Sequence, residues 1–258
     1  GVSIQTEIEI SYRMEQLRSG GPRPLVAVTG TDGKTTTTFL VTAILRAAGL
    51  RTEAVGNTEV PLIESLETNA QAFAVECSSF RLEHTEQFRA QASAWLNIAP
   101  DHLDWHGTYQ QYFDAKAKMW ANCLPTDVAV APSDDVNILA VARASAARMV
   151  TFGATEGDYR VVGEELCGPL GPITGISRMK RSLPHDITNA LAAAAVCMES
   201  GLADADHVAH ALEHFENAPH RIQFVAEVDG VRWFNDSKAT SPHAASVALR
   251  AFDSIVLI

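Results

Sequence analysis

AVTGTDGKTTTTFL, residues 27–40, decides how the rest of the chain is read. It sets Gly33-Lys34-Thr35 at the start of a threonine-rich segment, directly after the apolar run LVAVT at 25–29. The common phosphate loop, G-x-x-x-x-G-K-[ST], would need a glycine where Val28 stands; the glycine present, Gly30, makes a shorter G-x-x-G-K-T. A buried strand, a glycine turn and a helix start, in that order, bring unpaired backbone N–H groups and the positive end of a helix dipole against a polyanion. Lys34 then lies against the β- and γ-phosphates of a nucleotide, and the Thr35 hydroxyl is a Mg²⁺ ligand. Gly30, Thr31, Asp32, Gly33 and Thr36 complete the candidate nucleotide-phosphate loop. An ordinary tight turn is the plainer reading, but it leaves the agreement of strand, glycines, Lys-Thr and helix unexplained.

Working outward, short β-branched or apolar runs recur at 25–29, 52–55, 72–76, 93–98, 127–131 and 149–152, alternating with helix-like segments. That alternation predicts an α/β fold, a mostly parallel sheet carrying the phosphate loop with helices on both faces. Thr35 to Ala48 reads as a helix with Phe39, Leu40, Ala43, Ile44 and Ala47 on one face and Gly49 as its stop. Its threonines are poor interior helix formers but bond well at a first turn, which suggests a task there. Gly and Pro break 158–177 into a small antiparallel β insertion, and helices follow at 186–200 and 203–216. RIQFVAEV and VRWFNDS flank Asp229-Gly230 as a hairpin, ahead of a helix at 242–251 and a strand, SIVLI, at 254–258. A strand so apolar needs sheet neighbours, so the chain is expected to be a fragment of a longer protein.

The chain of 258 residues is 47% hydrophobic and 20% charged, the balance of an ordinary globular protein with one large domain and appended pieces. Its formal net charge of -11 and lack of a basic stripe argue against nucleic acid as a partner. Cys77, Cys123, Cys167 and Cys197 form no CxxC pair, which suits reduced thiols in a cytoplasmic protein. The longest apolar run, ALAAAAVCM at 190–198, is too short to span a bilayer, and GVSIQTEIEI does not resemble a signal peptide. The expectation is a soluble protein with no membrane partner.

In an open parallel sheet, ligands bind beyond the carboxyl ends of the strands. Glu76 ends the run AFAVE and could reach the same metal as Thr35; His102 lies in the loop after SAWLNI; Lys116 follows in QQYFDAKAKMW. Each has a dull alternative, a helix-capping Glu, a loop His and a surface Lys. Their joint position beside a phosphate loop favours the functional reading.

GTDGKT, with ECSSF, LNIAPDHLDWHG, the stretch from Tyr112 to Lys116, HDITNALAAAA, His220-Arg221 and NDSKAT at 235–240, resembles the Mur ligases of peptidoglycan synthesis. The loop and DHLD recur in the related folylpolyglutamate synthetases; NDSKAT is similar to the version in members that add D-glutamate. The resemblance runs from about residue 25 to the end. It implies that residues 1–24 are the remnant of a domain holding the UDP substrate, 25–219 the central ATP-binding domain, and 220–258 the first part of a Rossmann-like C-terminal domain.

The same resemblance implies an ATP-dependent amide ligase. ATP phosphorylates the carboxyl of UDP-N-acetylmuramoyl-L-alanine, and D-glutamate attacks the acyl phosphate. Lys34, Lys116, His102 and Arg221 would be catalytic. Thr35 and Glu76 would hold one Mg²⁺, His102 a second, and Lys116 would join the metal ligands as a carbamate, whose negative charge removes the repulsion an ammonium would suffer there. By motif register Lys116 is preferred to Lys118. Asn189 would face the adenine and Asp236 the ribose; Asn57, Ser78, Lys238 and Thr240 would meet the muramoyl substrate. The family's GNIG reads Gly56-Asn57-Thr58-Glu59 here, Asp186 stands where asparagine is common, and Ser241 replaces another asparagine. The full-length enzyme is expected to be a monomer. A nucleotide-binding module without ligase chemistry, or a sister Mur-type or folylpolyglutamate-type ligase, is the alternative.

Overall fold

The computed structural model describes residues 4–216, 219–239, 242–249, 251–252 and 254–258. In chain order the first elements are α1 (Glu7–Gln16), β1 (Leu25–Thr29), α2 (Lys34–Ala47), β2 (Thr52–Gly56), α3 (Leu62–Ser65), β3 (Ala72–Glu76) and α4 (Ser79–Glu83). β4 (Ala92–Trp95), α5 (Leu103–His106), α6 (Tyr109–Ala117), β5 (Val128–Pro132), α7 (Val136–Ala144) and β6 (Arg148–Phe152) follow. β1 to β6 form one six-stranded sheet in the order β2-β3-β1-β4-β5-β6, with every pair parallel. β1 is therefore flanked by β3 on one side and β4 on the other, and the chain reverses direction across the sheet at β1. The crevice beyond the carboxyl ends of these three strands is where such a fold seats a ligand.

Pleating divides the sheet residues between two cores. Val26 and Val28 pack with Ala72, Ala74, Ala92 and Ala94 beneath α2, α8 (Pro184–Glu199) and α9 (Ala205–His214). Leu25 and Ala27 pack with Phe73, Val75 and Trp95 beneath α1 and α7. Strands buried on both faces read as continuous apolar runs, which is why LVAVT and AFAVE carry no polar alternation. Along α8, residues 190–195 are buried, and the alanines on either side of Leu191 let this helix lie close to both the sheet and α2.

Between β6 and α8 the chain forms the antiparallel insertion, β7 (Arg160–Val162), β8 (Glu165–Gly168) and β9 (Gly171–Gly175). The hairpin of β10 (Gln223–Val228) and β11 (Val231–Asn235) turns at Asp229-Gly230, and α10 (Pro242–Leu249) follows it. The expected α/β architecture with helices on both faces is observed. Two local expectations are corrected. β4 stops at Trp95 rather than continuing to Ile98: the Leu96 N–H makes the last bond to β1, at the Thr29 carbonyl, and Asn97 then accepts from Thr31 in the turn that follows β1. Residues 254–258 form no strand: among the described residues no neighbour offers them a ladder, and Val256 and Ile258 are 86% and 97% exposed. Among the described residues no helix is long and apolar enough to cross a membrane, and all four cysteines are free.

α1 is fastened to the sheet by buried carboxylates. Glu9 accepts backbone N–H groups from Glu86, Gln87 and Phe88. Glu15 pairs with Arg23 at 2.7 Å, and Arg23 also donates to the carbonyls of Leu66 and Thr68. Burial pushes the Glu15 carboxyl up, but the hydrogen bonds and charge of Arg23 outweigh it and hold the group below the ordinary carboxylate value. A carboxylate depressed in the folded state stabilises it above the unfolded value, about 4.3, and that contribution is lost as pH falls through the folded value. Arg23→Met is therefore expected to cost about 3 kcal/mol at neutral pH by leaving Glu15 buried and unpaired. The gap from wild type should close below about pH 4, as read from urea unfolding midpoints across pH.

Candidate active site

The loop after β1 turns on Gly33, whose φ of 80° lies in the left-handed region and opens α2 without a side-chain cap. A Cβ at Gly33 would meet Asn189 Oδ1 at 2.6 Å, so glycine is required both by backbone conformation and by the approach of α8. Asn97, just past β4, grips the front of the loop: its Oδ1 accepts from the N–H groups of Thr31 and Asp32 at 3.0 and 2.9 Å, and its Nδ2 donates to the Asp32 carbonyl at 3.1 Å. The Thr31 hydroxyl accepts from the N–H of Ala99 at 2.9 Å and lies 3.0 Å from the Tyr112 hydroxyl.

Lys34 and Lys116 converge on one acceptor. Lys34 Nζ donates to the carbonyls of Gly30 and Thr31 at 3.0 and 2.7 Å, and Lys116 Nζ donates to the same Gly30 carbonyl at 2.7 Å. Lys116 is 1% exposed, with its ammonium 4.7 Å from the centroid of the Tyr112 ring. Burial, reinforced by the charge of Lys34, drives its proton affinity well below that of an ordinary lysine. Burial also lowers Lys34, where the nearby Glu76 and Asp32 carboxylates push the other way. Lys118 turns aside to donate to the Glu83 carbonyl.

Glu76 ends β3 and is buried. Its Oε1 accepts from Asn57 Nδ2 at 3.1 Å, and its backbone carbonyl accepts the Asn57 N–H at 2.9 Å. Gly56 makes that approach possible, since a Cβ there would stand 2.4 Å from the Glu76 carbonyl oxygen. Glu76 Oε2 is buried with no hydrogen-bond partner. Ser78 caps α4 by accepting the Arg81 N–H.

The remaining candidates are more dispersed. His102 is 47% exposed, adopts a φ of 51°, and rests its ring 4.8 Å from Phe80 and 6.4 Å from Tyr112. Arg221 reaches across from the segment before β10 to donate to the Thr35 hydroxyl at 3.0 Å. Asp236 accepts the Ile222 N–H at 3.0 Å, and the Lys238 backbone N–H bonds the His220 carbonyl while its side chain is exposed. Thr36 is buried in the first turn of α2. Thr240 lies outside the described residues. The structure thus brings Gly30, Thr31, Asp32, Gly33, Lys34, Thr35, Glu76, Lys116, Asn189 and Arg221 to one crevice. His102 is exposed beside Phe80 and Tyr112, Asn57 bonds Glu76, Ser78 caps α4, and Asp236 and Lys238 bond the residues on either side of Arg221. Among the described residues no three His, Cys, Asp or Glu side chains form a ready metal cluster.

The reading from sequence missed Asn97 and the Thr31–Tyr112 contact. The signal was available for Asn97, which occupies the same strand-end position that singled out Glu76 and His102.

A parallel sheet with a glycine turn and paired lysines at its crevice defines a mononucleotide-binding α/β fold. The family profile of the Mur ligase middle domain matches residues 28–197, and the chain belongs to that family. A UDP-N-acetylmuramoylalanine–D-glutamate ligase of Frankia casuarinae is 39% identical over 270 residues, covering 100% of this chain and 55% of the relative. The enzyme of the same name from Streptomyces coelicolor is 38% identical over 274 residues, covering 100% and 58%. The chain therefore spans little more than half the length of these curated relatives. Among solved structures, MurF from Acinetobacter baumannii superposes with a TM-score of 0.74 at 19% identity, over 95% of this chain and 56% of that one. E. coli FolC in complex with DHPP and ADP gives 0.68 at 19% identity, over 99% and 72%. These structural likenesses carry the fold.

Gly33→Ala is expected to cost about 1–2 kcal/mol from the left-handed backbone alone. It should also weaken Mg·ADP binding by about tenfold or more, because a side chain in the left-handed turn strains the loop and displaces the Asn189 amide beside it. Urea unfolding and titration calorimetry read the two effects separately.

Proposed function

We propose that this chain carries the ATP-binding core of a Mur-type ligase that joins D-glutamate to UDP-N-acetylmuramoyl-L-alanine. The observation that carries the reading is the convergence of Lys34 and Lys116 on the Gly30 carbonyl, with Arg221 reaching the Thr35 hydroxyl from a distant segment. Phosphorylating a carboxylate brings two anions together, and cations must stand between them. The carboxylate oxygen attacks the γ-phosphorus and ADP leaves; the D-glutamate amine then attacks the acyl carbon, phosphate leaves, and the amine loses a proton. Lys34 and Arg221 bind and orient the transferring group throughout. Asn189 faces the adenine and Asp236 the ribose, while Asn57, Ser78, Lys238 and Thr240 orient the muramoyl substrate. The relatives' names supply the two substrates, and the NDSKAT segment agrees with them.

The donors fit Mg²⁺, which typically takes one or two carboxylates and completes its shell with waters and substrate phosphates. Glu76 Oε2, buried and unpartnered, is such a donor, and the Thr35 hydroxyl is an oxygen ligand already at the loop. Glu76 and Thr35 would hold one ion, and His102 with Lys116 a second; bound there, Mg²⁺ would supply charge neutralisation at the phosphates. Lys116 fits this role as a carbamate. Its buried amine, of lowered proton affinity, adds to CO₂ with loss of one proton and becomes an anionic oxygen donor.

Within this reading, residues 1–24 end a UDP-substrate domain, 25–219 form the ATP-binding domain, and 220–258 begin a Rossmann-like domain. The full-length enzyme acts as a cytoplasmic monomer. The test extends the chain to the length of its relatives and measures phosphate release with UDP-N-acetylmuramoyl-L-alanine and, in turn, D-glutamate, L-glutamate, L-lysine and diaminopimelate. Release is expected with D-glutamate only. Lys116→Ala should lower kcat by roughly 100-fold or more, with partial recovery on adding a short-chain carboxylic acid. A nucleotide-binding module without ligase chemistry would bind Mg·ATP but release no phosphate with any amino acid.

A further inference from the structure

Asn97 belongs to no step of that chemistry, yet it makes the densest set of bonds to the loop. Its Oδ1 takes the N–H groups of two successive residues, Thr31 and Asp32, and its Nδ2 returns a bond to the Asp32 carbonyl. The Asn97 backbone carbonyl also accepts from the Thr31 N–H at 3.1 Å. Successive N–H groups closing on one oxygen form the concavity by which a turn holds an anion. In this loop the concavity is filled from within by a neutral amide oxygen.

The filling explains the short spacing. In G-x-x-x-x-G-K-[ST], the backbone N–H groups of a longer loop wrap the phosphates. In G-x-x-G-K-T the N–H groups of residues 31 and 32 are already committed to Asn97, so phosphate meets the uncapped first turn of α2, from Gly33 onward. The same clamp fixes the direction of the Gly30 carbonyl that Lys34 and Lys116 share. A Cβ at Gly30 would stand 3.1 Å from Leu96 Cβ and 3.5 Å from the Asn97 nitrogen, which leaves this segment no lateral room.

We infer that Asn97 is a positioning residue for the phosphate loop, occupying its front concavity so that the loop recognises nucleotide phosphates only through the start of α2. An aspartate could not replace it. It would keep the two accepted bonds but lose the donor to Asp32, set a carboxylate against that carbonyl, and add negative charge beside the phosphates.

The inference rests on the nucleotide reading of the loop, and the experiment separates the two. Asn97→Ala and Asn97→Asp are made in the whole chain. Calorimetry measures Mg·ADP and AMP binding, and NMR hydrogen exchange follows the amides of Thr31 and Asp32. The ADP-to-AMP affinity ratio is expected to fall by about tenfold or more in both variants, because misplacing the loop penalises the contacts of the outer phosphate. Thr31 and Asp32 amides, protected in wild type, should exchange faster in Asn97→Ala. A ratio equal to that of wild type in folded Asn97→Ala overturns the inference, as do Thr31 and Asp32 amides that exchange at the wild-type rate. If Asn97→Ala does not fold, Asn97→Asp carries the ratio measurement and an unchanged ratio there has the same force. Failure of the wild-type chain to bind Mg·ADP would count against the nucleotide reading, and the exchange rates would still decide whether Asn97 holds the loop.

Discussion

Two amines, the buried one of Lys116 and the half-buried one of Lys34, share the carbonyl oxygen of Gly30, and the rest of the crevice is arranged around that unfavourable proximity. Like charges so placed repel by an amount on the order of kcal/mol even in a moderately polar interior. The fold tolerates them by two means. Burial and mutual repulsion weaken proton binding at Lys116, and the Glu76 and Asp32 carboxylates lend Lys34 a partial counter-charge. A polyanion at the start of α2 would relieve the same repulsion. The parallel sheet makes this possible because β1, β3 and β4 end side by side and deliver the loop, Glu76 and Asn97 to one rim.

The architecture was legible because strands buried on both faces leave long apolar runs, and because glycines punctuate them. LVAVT and AFAVE appear as β1 and β3 with the bounds expected, and the Thr35–Ala48 helix differs from α2 by one residue at each end. The end of β4 was not legible. Leu96 and Ile98 are as apolar as the strand before them, and only the switch of partner, from Thr29 of β1 at Leu96 to Thr31 of the turn at Asn97, shows where the ladder ends. SIVLI failed in the opposite way. Its composition is that of a strand, but pairing is a property of two segments, and composition reports only one.

In the crevice, the loop residues could be picked out by type and spacing, and Lys116 by its register in the family motif. What sequence could not supply was direction. Lys116 and Lys118 are separated by one residue in the same segment, yet one side chain enters the crevice and the other leaves toward Glu83, a difference set by helix phase as α6 ends. Likewise Asn57, which the family resemblance assigns to the substrate, donates through its side chain to Glu76 Oε1, a contact that no sequence pattern shows. A polar residue near a site can serve the ligand or the residue beside it, and only geometry distinguishes the two.

The segment carrying Arg221 shows how much structure is committed to one guanidinium. His220 and Ile222 on either side of it have φ values of 66° and 42°. For a β-branched residue such as Ile222 this conformation is an outlier, and strain of this kind costs about 1–3 kcal/mol per residue. Asp236 accepts the Ile222 N–H, Arg181 donates to the carbonyls of Arg221 and Ile222, and Asp186 holds Arg181 in turn. Asp186 thus has a local use: its charge orients an arginine that braces the Arg221 backbone. Such bracing would be superfluous for a surface arginine. It is what a guanidinium needs if it is to reach the Thr35 hydroxyl from a separate segment of the chain and remain there as a fixed positive charge.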